Sequence, residues 1–193
     1  MEDDQTRICM LVDFFGDLIK PHLGEYHLDY GCGNGWITYY AADKCPEKRF
    51  IGYDIDYKKI GFAKEKFKRD NLSFISSKEN LLKLSPFRSI SSAFVFHNIP
   101  TDMFKDWKYL LLSNGRVCVL DYNLKGKSLE EFKKTFITKK EKKIIEDLGL
   151  EQAFNVYTSV GLEDCIGLGE SNGFETVKAH KILNKYFLWI GKK

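Results

Sequence analysis

Residues Asp29-Tyr30-Gly31-Cys32-Gly33-Asn34-Gly35 set three glycines at alternate positions. The short apolar run Tyr26-His27-Leu28 precedes them, and Trp36-Ile37-Thr38-Tyr39-Tyr40-Ala41-Ala42 follows. The order reads as a strand, a tight turn and a helix. Glycine permits positive φ and lets a ligand come close to the backbone. The helix beyond the turn offers unpaired N–H groups at its start. A dinucleotide fingerprint, G-x-G-x-x-G, counted from Gly31 would need glycine at position 36. That position is Trp36, so the turn is of another kind.

A second feature completes the unit. Arg49-Phe50-Ile51-Gly52-Tyr53-Asp54-Ile55-Asp56 reads as an apolar strand ending in acid. Asp54 follows Gly35 by 54 − 35 = 19 positions, room for a crossover helix and a return strand. An acid at the carboxyl end of such a second strand can accept hydrogen bonds from ribose hydroxyls. Asp56 suits the N-cap of a helix beginning near Tyr57, which leaves Asp54 for the ligand.

The pattern D-x-G-x-G-x-G resembles motif I of the class I S-adenosylmethionine-dependent methyltransferases. Phe87-Arg88-Ser89-Ile90-Ser91-Ser92-Ala93-Phe94-Val95-Phe96-His97-Asn98-Ile99-Pro100 is similar, without a gap, to the fourth-strand region of the small-molecule members, those like the ubiquinone and menaquinone enzymes. Arg88 stands where that pattern has an acid, and Asn98 where it has a second histidine. Asn71–Ser77 reads as the third strand, with Ser77 and Lys78 in place of the family's adenine-binding Asp. Leu110–Tyr122 resembles the family's helix end and fifth strand, Gly173–Val177 the start of the sixth strand, and Tyr186–Lys193 the final antiparallel strand.

That resemblance implies S-adenosylmethionine as cofactor, with S-adenosylhomocysteine as product. It implies a cofactor site of Asp29, Gly31, Cys32, Gly33, Gly35, Asp54, Ile55, Ser77, Lys78 and Phe96. Asn98, Asp121 and Tyr122 fall where an acceptor substrate would lie, and His97 is the candidate general base. The sulfonium donor already carries an activated methyl group, so the protein's main task is to position the reactants. A base is needed only where the nucleophile is protonated at working pH, a role that suits histidine. His97 has a structural alternative, capping the following turn or contacting the cofactor. A small-molecule acceptor is the leading expectation. An RNA or protein acceptor, or a module that binds the cofactor without catalysis, stays open.

Bulk properties add bounds. At 193 residues the chain is expected to make one domain, with residues 123–160 as a substrate-covering cap. A net charge of +3 does not by itself call for nucleic acid. Lysines crowd the 123–160 segment, but glutamates interleave them, which suits a solvated helix face. The cysteines Cys9, Cys32, Cys45, Cys118 and Cys165 are odd in number and lack any C-x-x-C, which points to a reducing, cytoplasmic setting without zinc. No apolar run is long enough for a membrane span.

Strands are expected near 26–30, 49–54, 72–76, 91–96, 116–121, 174–180 and 185–191. Helices are expected over 5–20, 35–44, 57–69, 102–112, 128–148 and 161–172. Their alternation predicts an α/β, Rossmann-like fold: a seven-stranded, mostly parallel sheet with helices on both faces and an antiparallel final strand. Ligands on such sheets bind outside the carboxyl ends of the strands, where the strand order reverses.

Overall fold

In the computed structural model, residues 24–98 and 103–193 are described. The expected helix at 5–20 lies outside them, as do Cys9, Ile99 and Pro100. Strands β1 (Tyr26–Tyr30), β2 (Arg49–Tyr53) and β3 (Leu72–Ile75) alternate with helices α1 (Trp36–Lys44), α2 (Tyr57–Lys66) and α3 (Lys78–Leu84). Strand β4 (Phe87–Ala93), a single 3-10 turn at Phe96–Asn98, α4 (Met103–Leu110) and β5 (Leu111–Tyr122) follow. Helices α5 (Leu129–Thr135), α6 (Lys139–Leu148), α7 (Leu150–Tyr157) and α8 (Leu162–Ser171) then lead to β6 (Glu175–Ile182) and β7 (Tyr186–Lys192).

The sheet order is β3-β2-β1-β4-β5-β7-β6. Strands β1 to β5 pair in parallel, and β7 runs antiparallel to both β5 and β6. The order reverses between β1 and β4, so a crevice opens at their carboxyl ends. Side chains on a strand point alternately to its two faces. On β5, Val117 and Val119 join one core with Trp107, Phe104 and Trp189. Cys118 and Leu120 join the other, with Ala42, Ile60 and Ala63 from the opposite helices. Both faces are covered, as a central parallel strand requires.

Three expectations on boundaries are corrected. Strand 91–96 ends instead at Ala93, because Phe94 takes φ 58, outside the extended region. The 128–148 helix is two helices. Ser128 with Glu131 and Thr138 with Glu141 form separate capping boxes, and the second restarts the chain after Phe136. Helices α3 and α7 were not anticipated; each is short, and a few residues carry little period.

The segment expected as a cap has its own core. Leu124, Phe132, Phe136, Ala153 and Tyr157 are buried together, with Tyr122 of β5 packed against them. Tyr122 therefore links this core to the end of the sheet.

Candidate functional site

The glycine turn and β2 are joined by backbone and side chain. Gly31 and Cys32 N–H both donate to the Tyr53 carbonyl, at 2.7 and 2.9 Å. Asp54 reaches across: Oδ2 accepts from Gly33 N–H at 2.8 Å and Oδ1 from Asp56 N–H at 2.9 Å. Asp56 itself caps α2 through Lys58 and Lys59 N–H. The carboxylate of Asp54 thus sits at the lip of the crevice with lone pairs to spare for hydroxyl donors. Ile55 beside it is 84% exposed, an apolar surface with no protein cover.

The glycines do different jobs. Gly35, at φ 80, caps α1, and a Cβ there would meet Phe74 at 2.6 Å and Ala63 at 2.9 Å. It is required by packing. Gly33, at φ 54, faces open space, with nothing within 4 Å of a built Cβ. This cradle at a helix N-terminus, flanked by an acid at the end of β2, fits the adenosyl portion of S-adenosylmethionine.

Other expected cofactor residues are placed as follows. Cys32 packs toward Gly52, and burial pushes its thiol far up, so it is a neutral spacer. Ser77 is the N-cap of α3, accepting from Asn80 N–H at 3.3 Å, and its oxygen has room for one more donor. The ammonium of Lys78 pairs with Asp106 at 2.8 Å. The ring of Phe96 is buried between Phe104 and Phe187. Asp29 lies beneath the turn at 3% exposure. It accepts from the Thr38 hydroxyl at 2.7 Å and from the Ser91 hydroxyl at 3.1 Å.

Asp29 ends a buried hydrogen-bond chain. His27 bonds Ser89 Oγ through Nδ1 at 2.7 Å and Ser91 Oγ through Nε2 at 2.9 Å. Because Ser91 spends its proton on Asp29, His27 Nε2 carries the hydrogen that Ser91 accepts. Burial pushes the Asp29 carboxyl up to about 6, against the pull of those hydroxyls. Burial, with Lys48 nearby, pushes the His27 imidazole down to about 3.

These shifts oppose one another. Folding strengthens proton binding at Asp29, so its contribution to stability falls as pH rises from its ordinary 3.8 to about 6. Folding weakens proton binding at His27, so stability rises between about 3 and 6.5. Asp29→Asn removes only the first effect. Its stability relative to wild type is expected to climb by about 2 kcal/mol as pH goes from 4 to 6. Denaturant titrations at both pH values check this, and a flat difference would place the Asp29 carboxyl in its ordinary range.

The second cluster forms at the ends of β4 and β5. Asp121, fully buried, accepts three hydrogen bonds: His97 N–H at 3.1 Å, His97 Nδ1–H at 2.7 Å and Tyr122 N–H at 2.7 Å. With Nδ1 protonated by that contact, Nε2 carries the lone pair, and Asn98 Nδ2 donates to it at 2.7 Å. The arrangement sets the His97 tautomer through Asp121 and leaves the lone pair on Nε2. The positive φ of Phe94 swings the chain off β4 so that Val95 packs on Gly31 and His97 meets β5. Val95 thus packs on the glycine turn two residues before His97.

Residues the sequence did not single out close this cluster. Tyr157 of α7 lies over the His97 ring, with centroids 4.3 Å apart and 30° between planes. Tyr122 meets Tyr157 edge-on at 5.1 Å, and its hydroxyl donates to Glu141 of α6 at 3.2 Å. Glu141 is held in turn by Lys185 at 2.7 Å. Burial pushes the Tyr157 phenol up to about 12, so it is a neutral wall. The T-x-x-E capping box was a visible signal for Glu141 at a helix start, though not for its pairing. For Tyr157 there was none. Among the described residues, no cluster of His, Cys, Asp and Glu is set to hold a metal ion.

The strand order, the glycine turn and the acid after β2 define the class I methyltransferase fold. A family model for a methyltransferase domain matches residues 28–115, from the middle of β1 into β5. A SAM-dependent methyltransferase from Aquifex aeolicus superposes with a TM-score of 0.66 at 15% identity, over 91% of this chain and 87% of that one. Magnesium protoporphyrin IX methyltransferase from Synechocystis PCC 6803, with bound SAH, gives 0.65 at 15% identity, over 95% and 82%. A putative S-adenosylmethionine-dependent methyltransferase from Listeria monocytogenes gives 0.62 at 16%, over 93% and 97%. No curated protein matches the chain in sequence. The chain thus has the fold of the class I S-adenosylmethionine-dependent methyltransferases, and residues 28–115 match the methyltransferase-domain model.

Proposed function

We propose that the protein transfers a methyl group from S-adenosylmethionine to a small-molecule acceptor in a reducing, cytoplasmic setting. The observation that carries this reading is Asp54, whose carboxylate spans the Gly33 and Asp56 N–H groups at the mouth of the crevice. Asp54 would take the ribose hydroxyls, Gly33 would leave room for the cofactor backbone, and Ile55 would cover one face of the adenine. Ser77 Oγ would accept from the adenine amino group. The cofactor, when bound, supplies an electrophilic methyl group. His97 Nε2 would take the acceptor's proton once Asn98 yields its place, and Asp121 would stabilise the imidazolium that forms. Tyr122 and Tyr157 would flank the acceptor, with α5 to α7 as the cap that keeps water out.

Titration of S-adenosylhomocysteine by calorimetry tests the reading. Wild type is expected to bind, and Asp54→Ala to weaken binding by about 1.5–3 kcal/mol through loss of charge-assisted bonds. No heat with wild type would overturn the cofactor assignment. Equal affinities would move the acid's role away from Asp54.

A further inference from the structure

One end of the molecule breaks two local rules. Helix α6 opens Lys139-Lys140-Glu141-Lys142-Lys143, so four ammonium groups crowd the end where the helix dipole is already positive. Glu141, the acid among them, is turned inward and spent: Lys185 Nζ, Thr138 N–H and the Tyr122 hydroxyl all bond its carboxylate. Lys143 meets Asp147 at 3.5 Å. Lys139, Lys140 and Lys142 are exposed and have no acidic partner among the described residues. The β6–β7 hairpin turns through Leu183 and Asn184, at φ 50 and 52. Such a turn favours Asn or Gly, yet Leu183 stands there and is 84% exposed.

One ion pair brings these oddities together. Oε2 of Glu141 accepts Thr138 N–H at 3.0 Å on one side and Lys185 Nζ at 2.9 Å on the other. The α5–α6 loop, with Ile137 at 58% exposure, is therefore tied beside the hairpin tip that carries Leu183. Two aliphatic side chains thus stand out on adjacent loops, next to unpaired lysines.

We propose that this end docks on an anionic phospholipid surface. Ile137 and Leu183 enter the boundary between headgroups and acyl chains, and Lys139, Lys140 and Lys142 face the lipid phosphates. The contact is peripheral, since no described helix is long and apolar enough to cross a membrane. Lipid fits better than nucleic acid because the groups among the lysines are aliphatic, whereas unpaired bases stack on aromatic rings. The proposal does not depend on the methyl-transfer reading.

Flotation with vesicles of phosphatidylcholine, alone or mixed with phosphatidylserine, tests it. Wild type is expected to float with the mixed vesicles and remain behind with the neutral ones. Replacing Lys139, Lys140 and Lys142 together by Gln should lower partitioning about a hundredfold, at about fivefold per lysine. Leu183→Asn with Ile137→Ser should lower it at least about tenfold. Asn suits the left-handed turn, so the melting temperature of that variant should hold. Equal flotation on neutral vesicles, or an apolar variant that floats like wild type, would overturn the proposal. So would lysine-dependent binding of a single-stranded RNA oligonucleotide without vesicle binding.

Discussion

His97→Ala is expected to slow methyl transfer by about 10²–10⁴-fold while leaving S-adenosylhomocysteine affinity unchanged. The imidazole has one nitrogen committed to Asp121 and the other carrying a lone pair toward Asn98. That is the state a general base needs before it takes a proton. Asp121→Asn is the companion change. It keeps the shape of the side chain but can present an N–H to Nδ1, which would shift the imidazole proton to Nε2 and block the base. Asp121→Ala is the poorer choice, because it strips three donors of their acceptor in the core. The measurement is incorporation of labelled methyl groups into an acceptor fraction from cell extract, beside calorimetry with the product. Normal incorporation in His97→Ala would reduce the histidine to a structural cap. Lost product affinity would make it a cofactor contact.

Gly33→Val should lower S-adenosylhomocysteine affinity more than a hundredfold while the protein stays folded. A Cβ at this position meets no protein atom within 4 Å, so the main cost to the fold is the left-handed backbone, about 1–2 kcal/mol. The side chain would fill the space left for the ligand. Gly35→Ala supplies the contrast. Its Cβ would press on Phe74 and Ala63, so that variant should lose stability first and binding only as a consequence. Retained binding in a folded Gly33→Val protein would move the cofactor away from this turn.

How much of this was legible in the chain follows from which interactions are local. The glycine turn, the acid at Asp54 and the alternation of apolar strands with helices are short-range patterns, and each appears where the spacing places it. His97 and Asp121 were both marked as site residues, but one as a base and the other as a substrate contact. Their 2.7 Å bond joins residues 24 apart, one in the turn after β4 and one on β5, strands whose neighbour relation no local pattern states. Phe94 was read as strand because nothing in Ala93-Phe94-Val95 announces a positive φ. The tertiary contact of Val95 on Gly31 accompanies that bend.

The cap marks the same boundary. Its helices begin at Ser128 and Thr138, each followed three residues on by glutamate, a local rule that could be read in advance. The inward turn of Glu141 toward Lys185, and the stacking of Tyr157 on His97, bring together side chains 44 and 60 positions apart (185 − 141; 157 − 97). Periodicity and capping act within a few residues, so they specify elements and the backbone cradle. Pairings across the sheet and between cap and strand arise only when the whole core closes. They decided which nitrogen of His97 is basic, what covers it, and which loops stand side by side at the lysine-rich end.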